Sequence, residues 1–409
     1  MHRIDSTTAE ADKFGAGKDG WTEGEPGVTA PTQGTEDWFD AVQEEISGVV
    51  EGMGETLNKS DHGQLWAIHK NLLATLTCGN WVQRDNPTNG SLSGIAWGAG
   101  AGCFVAVGAN SGTGNNYIAR SPTGTMWYDH SDSLLTGVLY SVAWSESLAL
   151  FVAVGAASGG DANITTAPDG MTWNERSNPK AFALHGVVWA EGLSQFIAVG
   201  GADGTDAYIV TSANGTSGWA EQSNPKNVKL NSVAWSESLG VAVAVGEADG
   251  GDAYIVTSTD GSTWTERSNP KNYALYAVAW SEALGMFIAV GDADVGLGTP
   301  APYLITSTNG TSWSQVTAPI PTTKLVDGYG VVAVDELGAV VIVGNPSNTN
   351  GVGAIYTTDG STWVPIAMPY PDDLNAVAWS PELGCMAAAG ADIGALANLA
   401  TSLVVPVPA

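Results

Sequence analysis

A repeat of about 46 residues fills most of this 409-residue chain and limits the folds that it can adopt. Two tryptophan series mark the repeat, and each has seven positions. The first series ends an alternating segment and comprises Trp97, Trp144, Trp189, Trp235, Trp280, Val334 in the equivalent place, and Trp379. The second follows a turn and comprises Trp81, Trp127, Trp173, Trp219, Trp264, Trp313 and Trp363. Seven copies of one unit therefore build a single repetitive domain.

Each repeat predicts four short antiparallel strands, A to D. In the copy that begins at Leu230 we predict strand A over Asn231 to Trp235, B over Val241 to Val245, C over Ala253 to Ser258, and D from Thr263. The Asp260-Gly261 dipeptide predicts a two-residue type I′ hairpin between C and D. Four strands in about 46 residues are typical of a β-propeller blade.

The two ends of the repeat region indicate how the ring closes. A lone D-type strand, Asn80 to Gln83, enters the domain, and the last repeat, from Leu374, lacks its own D strand. If the first strand completes the last blade, seven full blades close with no open edge. The predicted fold is therefore all-β: a seven-bladed β-propeller over residues 79–409, preceded by a small, mostly helical segment over residues 1–78.

The tryptophans are predicted to pack between blades, because each buried indole stabilises the fold by about 4–6 kcal/mol at most. The segment TSTDGSTW at Thr257–Trp264 is similar to the Asp-box turn of sialidase-type propellers, although it is one residue shorter between Asp and Trp. In that family the box is a structural turn, so the resemblance implies a fold and not a catalytic site.

Composition excludes several classes of function. The chain carries 42 acidic and 14 basic residues, a net charge of −28, and the basic residues do not cluster. Nucleic-acid binding needs a basic surface and is not expected. Apolar runs long enough to span a bilayer are missing, so we expect no membrane insertion. Three cysteines without metal-binding spacing indicate neither a zinc site nor a disulfide framework, and we expect no cofactor.

The first 78 residues show helical rather than β periodicity. Two apolar stripes are candidates for oligomerisation: Phe39, Val42, Ile46, Val49 and Met53 in the first helix, and Leu65, Ile68 and Leu72 in the second. Their 3–4 spacing is typical of a coiled-coil seam. A short helix pair packed within one chain is the alternative.

Four ordered motifs in this segment resemble the N-terminal attachment region of tail-fibre proteins from tailed bacteriophages and prophages. They are MHRID at Met1–Asp5, KFGAGKDGWTEG at Lys13–Gly24, WF with VQEEI at Trp38–Ile46, and HGQL at His62–Leu65. The resemblance implies a homotrimeric fibre whose N-terminus docks on tail or baseplate proteins and whose distal part contacts the bacterial surface. Such fibres often continue into a long shaft, whereas this chain passes directly into the propeller.

The sequence does not favour catalysis. The propeller has only His130 and His185, which are not clustered. Arg84, Arg176 and Arg267 occupy equivalent positions in different repeats, so they cannot converge on one substrate and are expected to pair with nearby acids such as Glu175 and Glu266. We therefore predict that the protein is not an enzyme.

The B–C loops carry paired acids: Asp203 with Asp206, Asp249 with Asp252, and Asp292 with Asp294. Such loops suit Ca²⁺, but solvated turns explain the acids equally well, and metal binding stays open.

Departures from the repeat locate a candidate receptor-binding surface. They fall in the B–C and D–A segments of units five to seven, which antiparallel alternation places on one face of the disc. The candidate residues are Asp292, Asp294, Tyr303, Lys324, Asp327, Tyr329, Asn345, Asn348, Asn350, Tyr370 and Asp372. Aromatic and amide groups of this kind suit glycan or protein recognition.

Together these features predict a phage tail fibre or receptor-binding protein that assembles in the host cytoplasm and resides in the virion. Its N-terminal segment would attach to the tail, and its propeller would bind a host-surface glycan or protein. One alternative is a propeller glycosidase or depolymerase that degrades surface polysaccharide; another is a scaffold with no affinity for host cells.

Overall fold

A computed structural model gives the fold of the chain. It describes residues 45–52, 56, 64–88, 90–111, 113, 115–131, 137–158, 161–177, 179–205, 207–251, 253–294, 301–316, 325–346, 353–369, 373–391 and 399–402. Contacts divide the chain into two compact units, Met1–Leu72 and Leu73–Ala409. The predicted domain boundary at residue 78 stays a prediction.

The described residues before the repeats include two helices. Helix α1 covers residues 45–52 and helix α2 covers Gln64–Gly79. Four of the predicted seam residues are 43–47% exposed: Ile46, Val49, Leu65 and Leu72. Ile68 is only 6% exposed in the single chain, and its place in an oligomerisation seam stays a prediction. Phe39, Val42 and Met53 lie outside the described residues. None of the described helices has the length and apolar character that crossing a bilayer requires.

The repeats form seven four-stranded antiparallel sheets, which confirms the predicted seven-bladed propeller. Blade 1 contains β2 (Gly90–Gly98), β3 (Cys103–Asn110), β4 (Asn116–Ser121) and β5 (Tyr128–Asp129). Blade 2 contains β6 (Leu139–Ser145), β7 (Leu150–Ser158), β8 (Asp161–Ala167) and β9 (Asn174–Arg176). Blade 3 contains β10 (Leu184–Ala190), β11 (Gln195–Ala202), β12 (Ala207–Ser212) and β13 (Ala220–Gln222). Blade 4 contains β14 (Leu230–Ser236), β15 (Val241–Ala248), β16 (Ala253–Ser258) and β17 (Thr265–Arg267).

The remaining blades follow the same order. Blade 5 contains β18 (Leu275–Ser281), β19 (Met286–Ala293), β20 (Pro302–Ser307) and β21 (Ser314–Gln315). Blade 6 contains β22 (Leu325–Val334), β23 (Ala339–Pro346), β24 (Ala354–Thr357) and β25 (Val364–Ile366). Blade 7 contains β26 (Leu374–Ser380), β27 (Cys385–Gly390), β28 (Leu399–Ser402) and β1 (Trp81–Arg84). Single turns of 3₁₀ helix follow β10 at Glu191–Leu193 and β22 at Asp335–Leu337.

The ring closes as the strand count predicts. Strand β1 pairs antiparallel with β28, with Trp81 opposite Ser402 and Arg84 opposite Leu399. The first strands of neighbouring blades contact one another around the whole circle, including β2 against β26. Closure covers two sheet edges that would otherwise present unpaired backbone groups.

The turn between strands C and D differs from the predicted type I′ hairpin. Gly261 has a φ of +74°, but Asp260 is not in the left-handed region that such a hairpin requires at both central positions. Instead, the Asp260 carboxylate accepts the backbone N–H groups of Ser262 and Thr263, at 2.8 and 2.7 Å. The Trp264 indole then donates to the Gly261 carbonyl at 3.1 Å. Strand D consequently begins only at Thr265, and Trp264 lies in the turn rather than on the strand.

Tryptophan packing between blades is confirmed. Seven separate clusters of buried residues each join two neighbouring blades and contain one tryptophan of the second series. Trp264, for example, packs with Ile209 of blade 3 and Val256 of blade 4. The hydrophobic core of the propeller is therefore a set of seven interfaces between sheets.

A Ser-Asn-Pro-Lys motif between blades supplies a polar link that the sequence analysis missed. Asn224 donates from its side chain to the Ala207 carbonyl of blade 3, at 2.5 Å. Two residues later, the Lys226 backbone N–H donates to the Tyr254 hydroxyl of blade 4, and the Lys226 ammonium lies 2.5 Å from the Asp249 carboxylate. The motif therefore holds two blades together at the face that carries the D–A and B–C connections.

Candidate functional site

A β-bulge interrupts the first strand of every blade at the same position. In blade 4 the register passes from Leu230 opposite Gly246 to Ser232 opposite Val245, which leaves Asn231 without a cross-strand partner. The seven equivalent residues form what we call the bulge ring: Ser93, Tyr140, His185, Asn231, Tyr276, Tyr329 and Asn375. Bulges commonly re-aim side chains beside functional sites.

A glycine on strand B makes each bulge possible. A Cβ on Gly246 would lie 2.0 Å from the Lys229 carbonyl oxygen, so only glycine fits this close approach. The following residue, Glu247, donates its backbone N–H to the same carbonyl at 3.0 Å. The Gly that ends the apolar run of each repeat therefore shapes the strand that carries the bulge ring.

The bulge ring surrounds a cavity of about 170 Å³ on the axis of the propeller. Below the bulge ring lies a ring of small residues, Gly94, Ser141, Gly186, Ser232, Ala277, Gly330 and Ala376. A third ring is apolar and consists of Ile95, Val142, Val187, Val233, Val278, Val331 and Val377. The two lower rings hardly vary from blade to blade, whereas the residues of the bulge ring differ in size, aromatic character and hydrogen-bonding capacity.

The surroundings of the bulge ring are polar on one side only. The residues beside it in blades 1 to 3 are small or apolar: Ser91, Ala109, Val138, Ala156, Ala183 and Gly201. Of the eight equivalent positions in blades 4 to 7, two are Ala274 and Ala391, and the other six are polar or charged: Lys229, Glu247, Asp292, Asp327, Asn345 and Asp373. We call these six residues, together with Tyr276 and Tyr329, the polar arc. It lies where strand A begins and strand B ends, on the face of the D–A and B–C connections.

Side chains of blades 5 and 6 meet at the centre of the polar arc. The rings of Tyr276 and Tyr329 are 5.6 Å apart between centroids and inclined at 54°. The Tyr329 hydroxyl donates to the Asp327 carboxylate at 3.4 Å, and the Asn345 amide donates to the same oxygen at 3.3 Å. All four side chains are half-buried, which suits groups that contact a ligand without being part of the core.

Burial, together with nearby carboxylates, raises the pKa values of Tyr276, Asp327 and Tyr329 in the polar arc. Burial, followed by the Asp292 carboxylate, raises the pKa of Asp327 above its ordinary value. Burial together with the charges of Asp292, Glu247 and Asp327 raises the pKa of Tyr276 to about 12. The tyrosine hydroxyls are therefore protonated hydrogen-bond donors at neutral pH, beside carboxylates that repel one another.

The opposite side of the bulge ring is aromatic and uncharged. The rings of Tyr140 and His185 are stacked with centroids 4.9 Å apart and an angle of 23° between planes. Burial, and secondarily the charge of Lys229, lowers the pKa of His185 to about 4. His185 is therefore neutral under physiological conditions.

The structure brings together four of the candidate receptor-binding residues: Asp292, Asp327, Tyr329 and Asn345. Two others were wrong, because they are fully buried in the polar links between blades. The Tyr303 hydroxyl donates to Asn269 at 2.7 Å, and the Asp294 carboxylate lies 2.6 Å from the Lys271 ammonium. The remaining candidates, Lys324, Asn348, Asn350, Tyr370 and Asp372, lie outside the described residues.

Two further expectations are corrected by hydrogen bonding. Arg176 and Arg267 donate through Nε to the hydroxyls of Thr166 and Thr257, both at 2.9 Å, and Glu266 pairs with Lys226 instead. The acids of the B–C loops, Asp203 and Asp249, pair with lysines of the Ser-Asn-Pro-Lys motif. Within the described ranges, no group of three or more His, Cys, Asp or Glu residues is placed to hold a metal ion. Asp206 and Asp252 are not among the described residues.

Sequence reasoning missed most of the bulge ring, namely Ser93, Tyr140, His185, Asn231, Tyr276 and Asn375. Their signal is present in the repeat as the variable second position of a Leu-x-[Gly/Ala/Ser]-[Val/Ile] pattern. Departures in loops are visible as insertions in the repeat, whereas this departure is a change of residue type inside strand A.

Comparisons with known proteins give a partial relative and a fold. No family model matches the chain. The chain is 40% identical over 116 residues to the uncharacterized protein StfP of Escherichia coli K12; the match covers 28% of this chain and 56% of StfP. This chain therefore spans about half the length of the curated relative that it matches.

Solved structures share the fold at low sequence identity. YCF48 bound to D1 peptide has a TM-score of 0.56 at 13% identity, covering 81% of this chain and 97% of that one. YCF48 from Cyanidioschyzon merolae has a TM-score of 0.56 at 16% sequence identity, and the match covers 79% of this chain and 98% of that one. The GH74 enzyme of Niastella koreensis has a TM-score of 0.58 at 15% sequence identity, and the match covers 80% of this chain and 53% of that one. The chain is thus a seven-bladed β-propeller protein that shares its fold with these structures and, over part of its length, is similar to an uncharacterized Escherichia coli protein.

Proposed function

We propose that the protein is a bacteriophage tail fibre or receptor-binding protein. In this proposal the N-terminal segment attaches to tail or baseplate proteins and forms a homotrimer, and the propeller binds the bacterial surface without catalysis. The four N-terminal motifs that resemble tail-fibre attachment regions support the first part. The exposed Ile46, Val49, Leu65 and Leu72 support self-association, because exposed apolar stripes of this kind are normally covered by a partner.

One observation carries the binding role of the propeller. The ring is regular in its packing, but its bulge ring and polar arc break the sevenfold pattern at one mouth of the axial cavity. A propeller needs no such variation for stability. Half-buried tyrosines beside amides and carboxylates are groups that recognise glycans and proteins, and a trimer would present three such sites with increased avidity.

Adsorption to host cells tests this proposal. The double substitution Tyr276→Ala with Tyr329→Ala should reduce binding of the purified protein to host cells at least tenfold. Tyr128→Ala is the matched control, because Tyr128 is 46% exposed on the outer strand β5, away from the cavity. Unfolding temperatures of all variants show whether the fold is kept. Unchanged adsorption of a folded double variant would contradict the proposal, and a wild-type protein without affinity for cells would favour the scaffold alternative.

A glycosidase or depolymerase is the second candidate, and the pairing of Asp327 with Asp292 favours it. A carboxyl group with a raised pKa near a second carboxylate is an arrangement that glycoside hydrolysis uses, and Asp327 lies next to Tyr329 at the mouth of the axial cavity. Incubation with host polysaccharide, followed by measurement of chain length, separates this candidate from simple binding. Shortening by the wild type but not by Asp327→Asn would establish hydrolysis.

A further inference from the structure

The size of the axial cavity limits what it can receive. At about 170 Å³ it is smaller than the 300–1,000 Å³ typical of pockets that enclose a drug-sized ligand. A polymer could therefore place only one unit inside, while its neighbours lie across the rim. The ring of small residues leaves room for that unit, and the third, apolar ring lines the cavity below it.

The aromatic side chains are placed to contact such a unit. The paired rings of Tyr276 and Tyr329 stand on one side of the opening, and the stacked Tyr140 and His185 stand on the other. Sugar rings have apolar C–H faces and polar hydroxyl edges. The aromatic faces suit the first, and the amides of Asn231 and Asn345 suit the second.

Charge at the rim sets the selectivity. The polar arc carries four carboxylates, on Glu247, Asp292, Asp327 and Asp373, and the single ammonium of Lys229. The Lys229 ammonium nitrogen lies 3.4 Å from a carboxylate oxygen of Glu247 and offsets the negative charge of Glu247. The raised pKa values of Asp327 and Asp373 agree with a poorly solvated rim. A ligand with a further negative charge would meet repulsion from at least two carboxylates, whereas an amine would be attracted.

We infer that the axial cavity binds one sugar ring of the host-surface glycan, that it prefers amino sugars to neutral sugars, and that it rejects acidic sugars. This inference rests on the proposed receptor-binding function and specifies its ligand. The cavity and its aromatic walls provide the binding site, and the carboxylates determine which sugars enter it.

Competition between matched sugars tests the inference. Labelled full-length protein is bound to host cells and displaced by glucosamine, N-acetylglucosamine or glucuronic acid, and by the same three derivatives of galactose. In the series that fits better, glucose or galactose, the sugar with the free amine should displace the protein at a concentration about tenfold lower than the sugar with the carboxylate. The uncharged N-acetyl derivative should require a concentration between these two.

Charge-neutral variants then identify the groups responsible. Asp292→Asn combined with Asp327→Asn keeps the side-chain shape and should reduce the difference between amino and acidic sugars to about threefold or less. Glu175→Gln, which removes an exposed carboxylate from the outer strand β9, should leave the tenfold difference unchanged.

The outcomes separate the inference from the proposed function. Acidic sugars that compete as well as amino sugars would overturn the inference, and so would an unchanged preference in the Asn variant. If no sugar competes while Tyr276→Ala with Tyr329→Ala still abolishes cell binding, the inference fails and the receptor-binding role stands. If the tyrosine variant binds cells normally, the proposed function itself fails.

Discussion

The glycine that permits each bulge gives a sharp test of how the bulge ring is built. In blade 3, a Cβ on Gly200 would lie 2.0 Å from the Ala183 carbonyl oxygen and 2.8 Å from the Leu184 Cα. A Cβ on Gly201 would lie 3.8 Å from the same oxygen, which is an ordinary contact. Neither glycine has a positive φ, so the two substitutions to alanine differ in space and not in backbone conformation.

The contacts give the expected size of the effect. Gly200→Ala must push apart two backbone segments, a form of overpacking that costs about 1–3 kcal/mol. Displacing the Ala183 carbonyl also weakens its 2.9 Å hydrogen bond from the Gly201 N–H, which contributes about 1 kcal/mol. We therefore expect Gly200→Ala to lower the free energy of unfolding by about 2–4 kcal/mol. Gly201→Ala should be neutral or should stabilise by up to about 1 kcal/mol, because it restricts the unfolded chain.

Urea denaturation of the two variants and the wild type measures the difference directly. Blade 3 contributes no residue to the polar arc, and urea denaturation reports stability independently of ligand binding. If the free energies of unfolding of the two variants agree within about 0.5 kcal/mol, the close backbone approach does not explain the bulge.

Three further predictions follow from the contacts between and within blades. Lys271→Met should lower the free energy of unfolding by about 3–5 kcal/mol, because it removes the ammonium beside the fully buried Asp294. Lys229→Met removes a more exposed ion pair with Glu247 and should change the free energy of unfolding by less than about 0.5 kcal/mol. Similar urea midpoints for the two variants would contradict this prediction. Burial alone would raise the pKa of Asp359, but hydrogen bonds from the N–H groups of Thr362 and Ser361 outweigh burial and lower the pKa to about 2. The stability that this carboxylate contributes is therefore present above about pH 4 and is lost as the pH falls towards 2. Asp359→Asn should flatten this part of the stability curve measured by urea denaturation, and an unchanged slope would argue against the turn geometry. A chain that begins at Leu73 keeps β1, and mass measurement should show it to be a soluble monomer, whereas the full chain should be a trimer. A chain that begins after Arg84 lacks β1, exposes the edge of β28 and should aggregate. A trimeric 73–409 fragment would remove the oligomerisation role from the N-terminal segment.

The blade architecture was predictable because local patterns determine it. Alternating apolar residues, turn residues and two tryptophan series recur in each repeat, so one copy predicts all others. Closure by β1 followed from counting strands. The turn before Trp264 was mispredicted because the Asp260 side chain, and not its backbone conformation, organises that turn.

The candidate site was only partly predictable. Asp292, Asp327, Tyr329 and Asn345 were predicted because the sequence near them departs from the repeat, although the structure places them on strands β19, β22 and β23. Tyr303 resembled a loop residue in sequence, but its hydroxyl links two blades through Asn269, a contact between residues 34 positions apart. Tyr276 was missed because a bulge, which depends on pairing across the sheet, turns a residue of a regular strand towards the cavity.

Hydrogen exchange in the presence of purified host-surface glycan tests the central claim most directly. If the polar arc is the recognition surface, bound glycan should slow backbone exchange in Leu275–Ser281 and Leu325–Val334 and leave the outer strands, such as β9 and β17, unchanged. Protection confined to the outer strands or to the A–B turns on the opposite face would show that the propeller binds its receptor elsewhere.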